Sequence, residues 1–262
     1  MLLTPWKKEM NMKKTNGWLI VAGVVVAAIC LSLAPSAGQA AVVDLTTAGS
    51  SGTVNGAIFE QIDPQATGSG VIDPFVRVST NDTIEEGYNT SGRPLEFDEN
   101  SSPIFTHDLL LSDVPIVDIG GTLYRQFLLD INQTLPGSLL SLDEIQIYQS
   151  NTAGLHSGFP AGFGTLVYDL DAGGDNWIKL DYALNSGSGS GDMFAYIPNS
   201  LFTGDTYLYF YSLFGENFGN NDGFEEWAVL KGTTQVPEPG TLFLLGSGLF
   251  GLALYGRKAF KR

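Results

Sequence analysis

The residues best suited to chemistry are carboxylates at alternating positions around a glycine turn. Asp169, Asp171 and Asp175 lie in the segment Asp-Leu-Asp-Ala-Gly-Gly-Asp-Asn, which begins at residue 169. Carboxylate oxygens arranged in this way can wrap a hard cation such as calcium. The segment is not an EF-hand, because Gly173 and Leu180 occupy its fifth and twelfth positions. The alternative is a solvated turn whose Asp side chains hydrogen-bond their own backbone.

A second candidate cation ligand is Asp222, in the segment Asn-Asn-Asp-Gly at residues 220–223. Asn-Asp-Gly is also a common turn sequence, so a turn without a ligand is the alternative here as well. Calcium at one of these two places is the only cofactor that the sequence suggests.

Three tyrosines at alternate positions, Tyr207, Tyr209 and Tyr211, share one face of a predicted strand. Aromatic side chains on a sheet surface can stack against sugar rings, so this face is a candidate carbohydrate-binding surface. The alternative is a half-buried sheet face whose phenol groups reach the rim.

The sequence contains few of the residue arrangements that are typical of catalytic sites. Glu225 and Glu226 are adjacent, so in a strand they point to opposite sides and cannot act together as the two carboxylates of a glycosidase. The two histidines, His107 and His156, have no metal-ligand spacing, and the single cysteine, Cys30, lies near the N-terminus. The chain has no Gly-x-Ser-x-Gly turn and no phosphate-binding loop, although a Ser-His-Asp triad stays open. We therefore expect a protein that is not an enzyme.

The elements that must position these residues are strands. Apolar and polar residues alternate over residues 122–132, 139–149, 165–170, 176–182, 206–213 and 224–230, and turns rich in Gly and Asn separate them. This pattern predicts an all-β, antiparallel, jelly-roll-like sandwich. Residues 80–102 are predicted to form a long acidic loop and residues 102–113 a short helix. Residues 171–175 are predicted to form a hairpin-like turn between the strands at 165–170 and 176–182.

The charge of the predicted exported part excludes one class of partner. Residues 41–236 contain 5 basic and 26 acidic side chains, so their formal charge is −21, against −15 for the whole chain. Such a surface repels nucleic acid and attracts cations. Its simpler role is to keep an exported protein soluble.

The N-terminus has the composition of a secretory signal peptide. Four lysines precede residue 15, an apolar stretch covers residues 18–33, and small residues follow up to Ala40. We expect cleavage after Ala40 by the general secretion machinery, with Met12 as an alternative start. Residues 1–40 are thus the predicted signal peptide and residues 41–236 the exported domain.

The C-terminus has three successive parts. Pro237, Glu238 and Pro239 come first, an apolar segment then begins at Leu242 and ends at Tyr255, and a basic tail follows. The basic residues of the tail are Arg257, Lys258, Lys261 and Arg262. A helix of this length spans about 21 Å, less than the hydrocarbon core of a bilayer, so we predict a short transmembrane helix suited to a temporary anchor.

Residues 237–262 resemble the PEP-CTERM sorting signal of Gram-negative bacteria that make extracellular polysaccharide. The resemblance implies export, transient residence in the inner membrane, C-terminal processing by an exosortase, and a final place at the cell surface or in the extracellular matrix. It also implies an association with exopolysaccharide and biofilm.

These observations favour a non-enzymatic surface or matrix protein. The alternative is a calcium-dependent carbohydrate-binding or adhesive module, based on the acidic turn and the tyrosines. An exported glycan hydrolase is a third and weaker hypothesis.

Overall fold

The alternating pattern forms strands in the computed structural model, which describes residues 40–66, 71–187 and 189–231. Within these ranges there are fourteen strands, two short 3-10 turns and no α-helix. The strands are β1 (Val42–Asp44), β2 (Ser51–Val54), β3 (Ala57–Ala66), β4 (Ile72–Val78), β5 (Glu85–Tyr88), β6 (Leu109–Leu110), β7 (Ile116–Ile119), β8 (Thr122–Asp130), β9 (Leu139–Ser150), β10 (Thr165–Asp169), β11 (Trp177–Asp181), β12 (Ser190–Pro198), β13 (Tyr207–Phe214) and β14 (Glu225–Leu230). The 3-10 turns are Leu111–Asp113 and Asn199–Leu201.

The strands form two sheets. The first has the order β1-β11-β9-β13-β5, with β10 beside β9 and β6 beside β13. The second has the order β2-β3-β12-β8-β14-β4, with β7 beside β8. All pairs are antiparallel except β1 with β11, which is parallel, so the predicted antiparallel architecture holds apart from this edge.

Eight of the strands follow a jelly-roll order. In the second sheet β4, β14, β8 and β12 are neighbours, and in the first sheet β5, β13, β9 and β11 are neighbours. The chain crosses between the sheets from β4 to β5, from β8 to β9, from β11 to β12, from β12 to β13 and from β13 to β14. This topology brings chain segments that are distant in sequence to the same ends of the sandwich.

The two sheets pack face to face through one apolar core that draws on both. At its centre Phe210 of β13 lies 4.6 Å from Trp227 of β14 and 5.1 Å from Phe127 of β8, measured between ring centroids. The indole nitrogen of Trp227 donates to Ser212 Oγ at 3.1 Å, so this buried polar group is satisfied. Burial of each such side chain stabilises the fold by about 1.5–3 kcal/mol.

Proline and glycine occupy positions that the strands tolerate. Pro74 lies on the edge strand β4, beside an irregularity at which Trp227 pairs with Val76 while Ala228 pairs with Pro74. The β7–β8 hairpin turns at Gly120 and Gly121, whose φ angles of 61° and 87° suit a tight two-residue connection.

Three sequence predictions about elements are wrong. Residues 80–102 are not one loop, because they contain β5, which pairs with β13. Residues 102–113 form no α-helix but β6 and a 3-10 turn. β10 and β11 are not a hairpin: each pairs with its own part of the twelve-residue β9, so residues 170–176 connect two strands that lie along the same partner.

The predicted signal peptide up to residue 39 and the whole C-terminal tail lie outside the described residues. In the ranges that are described, no helix combines the length and the hydropathy needed to cross a membrane. The short transmembrane helix from Leu242 to Tyr255 therefore stays a prediction.

Candidate functional site

The acidic turn after β10 satisfies its own backbone. Asp169 Oδ1 accepts from the Asp171 amide at 2.8 Å, and Asp171 Oδ1 accepts from the Asn176 amide at 2.9 Å. Asp175 is exposed, and no three Asp, Glu, His or Cys side chains of the described ranges are grouped to hold a metal. The contacts of Asp169 and Asp171 are those of the turn that the sequence offered as the alternative, and calcium at Asp169, Asp171 and Asp175 stays a prediction.

Neighbouring carboxylates affect the protonation of Asp171 in this turn. Burial, followed by the carboxylates of Asp175, Asp169 and Asp143, raises the pKa of Asp171 to about 6, although the hydrogen bond from the Asn176 amide opposes the rise. The turn also receives the start of β1, because the Ala41 amide donates to Asn176 Oδ1 at 2.7 Å.

Asp222 belongs to a separate turn. Its Oδ1 accepts from the Gly223 amide at 2.8 Å, and its own amide donates to Asn220 Oδ1 at 3.2 Å. Its predicted role as a cation ligand is not supported by this geometry, since the carboxylate stabilises the turn and joins no group of three ligands in the described part of the chain.

Tyr207, Tyr209 and Tyr211 do share one face, on the side of β13 away from the main core. That face is covered: Tyr209 is 0% and Tyr211 5% exposed, while Tyr207 is partly buried. Phe163 meets Tyr209 edge-on at 5.2 Å, and Phe159 stacks on Tyr211 at 4.8 Å. The predicted open stacking surface for carbohydrate is therefore absent at this face, because loop aromatics fill it.

The covering loop is fixed by hydrogen bonds. The amides of Gly158 and Phe159 both donate to the Glu96 carboxylate, at 2.9 and 3.2 Å. The same carboxylate accepts from the Tyr88 hydroxyl at 3.0 Å, so it ties the loop to β5. Tyr211 donates to Glu86 at 2.5 Å, which connects its hydroxyl to β5 as well.

Sequence reasoning missed a pair of carboxylates in the interior. Glu85 and Glu225 are both 0% exposed and lie on β5 and β14, in different sheets. Gln133 Nε2 donates to Glu225 Oε1 at 2.8 Å and to Asn220 Oδ1 at 3.0 Å, while Asn220 Nδ2 donates to Glu85 Oε2 at 3.3 Å. Burial raises the pKa of Glu85 to about 7.

A second buried acidic group lies on the opposite side of the second sheet. Glu226 is paired with Arg77, whose Nε donates to Glu226 Oε2 at 2.7 Å. The guanidinium is stacked between the rings of Phe105 and Phe224, at 3.5 and 4.0 Å from their centroids. Asp130 lies opposite Glu226 in the strand register.

Asp192 is buried beside Asp130. Its Oδ2 accepts from the Ile131 amide at 2.8 Å. Burial, with a smaller effect of the Asp130 charge, raises the pKa of Asp192 to about 8. The side chain therefore keeps a proton in the folded protein at neutral pH.

The histidines are not joined to a catalytic group. His156 Nδ1 lies 2.9 Å from the Gly154 carbonyl oxygen, and His107 Nδ1 is buried without a partner. Among the hydrogen bonds of the described residues, neither ring contacts a serine hydroxyl or a carboxylate, so no Ser-His-Asp triad is assembled there.

The last strand ends at Leu230, and the chain continues directly into the segment with the clearest function. Residues 235–258 match the family model of the PEP-CTERM protein-sorting motif. The chain carries a PEP-CTERM sorting signal. No curated protein and no solved structure matches this chain.

The motif confirms the resemblance given by Pro237, Glu238 and Pro239 and supports an exported protein sorted by an exosortase. It further implies membrane-associated sorting in a Gram-negative bacterium. The match ends at residue 258, so it covers Arg257 and Lys258 of the basic tail but not Lys261 and Arg262. All of these residues lie outside the described ranges.

The sorting motif and the buried pair Glu85 and Glu225 differ in how they can be recognised from the sequence. The sorting motif is a linear sequence and can be found without a fold. Glu85 and Glu225 each begin an adjacent pair of glutamates, and in a strand one member of such a pair must face inward. This signal applies to Glu225, which lies in a predicted strand, but not to Glu85, which lies in the region predicted to be a loop.

Proposed function

We propose that this is a non-enzymatic protein of the cell surface or extracellular matrix, sorted by an exosortase and cut near its C-terminus. The observation that carries the proposal is the PEP-CTERM motif at residues 235–258, placed a few residues after the last strand of the sandwich. The delivered domain is expected to associate with exopolysaccharide and to contribute to biofilm.

The connection between domain and motif supports sorting at the membrane. Residues 231–236 separate the end of β14 from Pro237, and six extended residues reach about 20 Å at most. The end of β14 must therefore stay close to the bilayer while the motif is held there. The folded domain and the processing enzyme then share a narrow space.

The chemistry of the domain supports a role without catalysis. The interior carboxylates Glu85 and Glu225 are wholly buried, so a polysaccharide chain has no access to them. Arg77 is held in an ion pair with Glu226, and Arg93 donates to the carbonyl oxygens of four residues. These cationic side chains serve the fold, and the charge of −21 keeps the domain dispersed.

A calcium-dependent carbohydrate-binding module based on the acidic turn and the tyrosine face finds no support in these contacts. The turn uses Asp169 and Asp171 for its own backbone, and Phe159 occupies the stacking position on Tyr211. An exported glycan hydrolase would need two facing carboxylates in an open cleft. The buried pair lacks that access.

The test is to follow the protein in its producing cell. Removal of residues 237–262 should abolish processing and change the final location, and so should deletion of the exosortase gene. A variant that lacks only the basic tail, residues 257–262, shows whether the Pro-Glu-Pro element and the apolar segment are sufficient for processing. Unchanged location and mass after removal of residues 237–262 would refute the proposal.

Mass spectrometry of the mature protein completes the test. It gives both cut sites and any group attached at the C-terminus. A C-terminus that still contains Arg262 would contradict processing, whereas cleavage near Pro237 supports it.

A further inference from the structure

The β7–β8 hairpin extends from the end of the second sheet at which the chain leaves the sandwich. β8 and β14 are antiparallel and their register ends with Leu128 opposite Ala228, so residues 122–127 of β8 lie on the side towards which β14 ends. At about 3.4 Å per residue they extend about 20 Å beyond Leu128, against about 7 Å for the end of β14 beyond Ala228. Along the strands, the hairpin turn therefore lies further out than Leu230, from which the chain continues towards the sorting motif.

The hairpin exposes three large apolar side chains. Ile116, Ile119 and Leu123 are 48%, 36% and 48% exposed, and together they are called the hairpin surface below. Leu201, in the 3-10 turn after β12, and Val71, just before β4, are exposed at the same end of the sheet. Single exposed apolar residues are ordinary, but a group of them at one end of a domain indicates a contact surface.

Arg125 marks the point at which the hairpin leaves the main core. Its guanidinium donates to two backbone carbonyl oxygens and to Asn199 Oδ1, so it closes the rim of the sandwich with hydrogen bonds. Leu123 alternates in step with Phe127, a residue of the main core, and Ile116 lies opposite Arg125. The inner face of the second sheet thus continues past this rim as an apolar surface.

The length of chain after β14 indicates what this surface meets. Residues 231–241 separate Leu230 from Leu242, where the predicted transmembrane segment begins. Eleven extended residues reach about 36–40 Å at most, so the anchored chain keeps this end of the domain near the bilayer. A short tether makes the second contact intramolecular, and a small apolar surface is then sufficient for it to form.

We propose that the hairpin surface contacts the lipid of the bilayer while the domain is anchored there, and so decides which end of the domain faces the membrane. The inference rests on the proposed function, because it requires a chain held by its C-terminal segment. The contact is apolar and needs no anionic lipid, since the domain is strongly acidic. The carboxylate of the hairpin itself, Asp118, serves the turn by accepting from the Gly121 amide at 2.7 Å.

The experiment uses the full chain reconstituted through its C-terminal segment into dioleoylphosphatidylcholine vesicles without exosortase. Cys30→Ser removes the single cysteine, so Ile119→Cys or Leu123→Cys then carries one environment-sensitive fluorophore. Lipids with a nitroxide on the acyl chain quench a label that enters the bilayer. We expect quenching at both positions to be several-fold stronger than at Leu135→Cys.

Leu135 is the matched control because it is exposed in the connection from β8 to β9, at the opposite end of the sandwich. A label at Thr122→Cys, an exposed position beside the hairpin turn, tests the apolar side chains themselves. Its quenching should fall several-fold when Ile116→Asp and Ile119→Asp are added. Fluorescence of the buried Trp227 checks that each variant unfolds at the wild-type temperature.

Three results would overturn the proposal. In the first, the labels at Ile119 and Leu123 are quenched no more than that at Leu135 although the chain floats with the vesicles, so the anchor of the proposed function stands and the lipid contact fails. In the second, labels on the hairpin quench one another as the ratio of protein to lipid rises but are not quenched by nitroxide lipid, which identifies a second copy of the chain as the occupant. In the third, the chain does not float with the vesicles, and the anchoring that the proposed function requires fails as well.

Discussion

The backbone nitrogen of Ala41 donates a hydrogen bond to Asn176 Oδ1 at 2.7 Å. Ala41 is also the residue that follows the predicted signal-peptide cleavage site. The start of β1 is held at the acidic turn a second time, because the Trp177 amide donates to the Ala41 carbonyl oxygen at 3.1 Å. Cleavage after Ala40 would therefore place a new ammonium group beside Asn176, whose own amide donates to Asp171 Oδ1.

We expect the mature N-terminus to contribute to stability through this contact. Asn176→Ala removes the acceptor for Ala41 and the donor to the Leu170 carbonyl oxygen, and should cost about 2 kcal/mol. The melting temperature should fall by about 4–8 °C for a domain of this size. Asn81→Ala, at an exposed position, is the matched control. Equal melting temperatures for the two variants would contradict the prediction.

Asp192 should make stability depend on pH. Its pKa is raised by burial from 3.8 to about 8, so the folded protein holds a proton that the unfolded chain releases. Its contribution to stability is complete below about pH 4 and is lost as the pH rises to about 8. Asp192→Asn should therefore gain stability over the wild type by several degrees at pH 8, but little at pH 4.

The measurement for Asp192 is thermal unfolding from pH 4 to pH 8. Asp82→Asn removes an exposed carboxylate and should leave the pH dependence unchanged. Glu85 is expected to add its own loss between about pH 4.5 and 7, so the Asp192 variant should flatten the profile only in part. A profile that stays parallel to that of the wild type would refute the assignment.

The residue patterns predict the fold class better than they predict which strands pair with each other. The alternation in residues 206–213 places Leu208 and Phe210 in the core and the tyrosines on the other face, as period two requires. The sequence predicts no strand at β5, because four residues that include two glutamates and a glycine have little strand propensity of their own. Its pairing with β13 decides its structure, and this pairing is a long-range contact.

Long-range contacts also decide the structure of the candidate site, and the sequence pattern does not reveal them. A tyrosine stripe gives no information on what covers it, and the loop that supplies Phe159 and Phe163 has no periodicity. The length of β9 allows β10 and β11 to share one edge, so the acidic turn between them is not a hairpin. By contrast, the sorting motif needs no tertiary contact to be identified, and the family match confirms it.

Arg77 should be replaceable by lysine only at a cost. Arg77→Lys keeps the charge opposite Glu226 but loses the planar contact with Phe105 and Phe224, and should destabilise by about 1–2 kcal/mol. Arg77→Ala leaves Glu226, which is 4% exposed, without its counter-charge and should cost about 3–5 kcal/mol. Chemical denaturation measures both values.

A double variant isolates the ion pair. Addition of Glu226→Gln to Arg77→Ala should recover part of the loss, because the buried charge is gone. If the two substitutions were simply additive, the Arg77–Glu226 interaction would contribute nothing beyond packing.

Phe159 should protect the tyrosine face. It stacks on Tyr88 at 5.0 Å and on Tyr211 at 4.8 Å, so Phe159→Ala should cost about 1–3 kcal/mol. Burial is the main reason why the pKa values of both tyrosines are raised, and exposure should lower them. Spectrophotometric titration checks this, with Phe218→Ala, whose ring lies against Trp177, as the control. Unchanged tyrosine titration would contradict the role of Phe159.

The short connection to the sorting motif should limit processing. Deletion of residues 232–234 halves the six-residue connection, so its maximum reach falls from about 20 Å to about 10 Å. The folded domain would then compete with the exosortase for space next to the bilayer, and the ratio of processed to unprocessed protein should fall several-fold. Immunoblots of membrane and extracellular fractions measure that ratio. Replacement of the three residues by Gly-Ser-Gly should restore the wild-type ratio, because the prediction depends on the length of the connection and not on its sequence. Wild-type processing of the deletion variant would contradict the prediction, since it would show that the domain does not obstruct the enzyme.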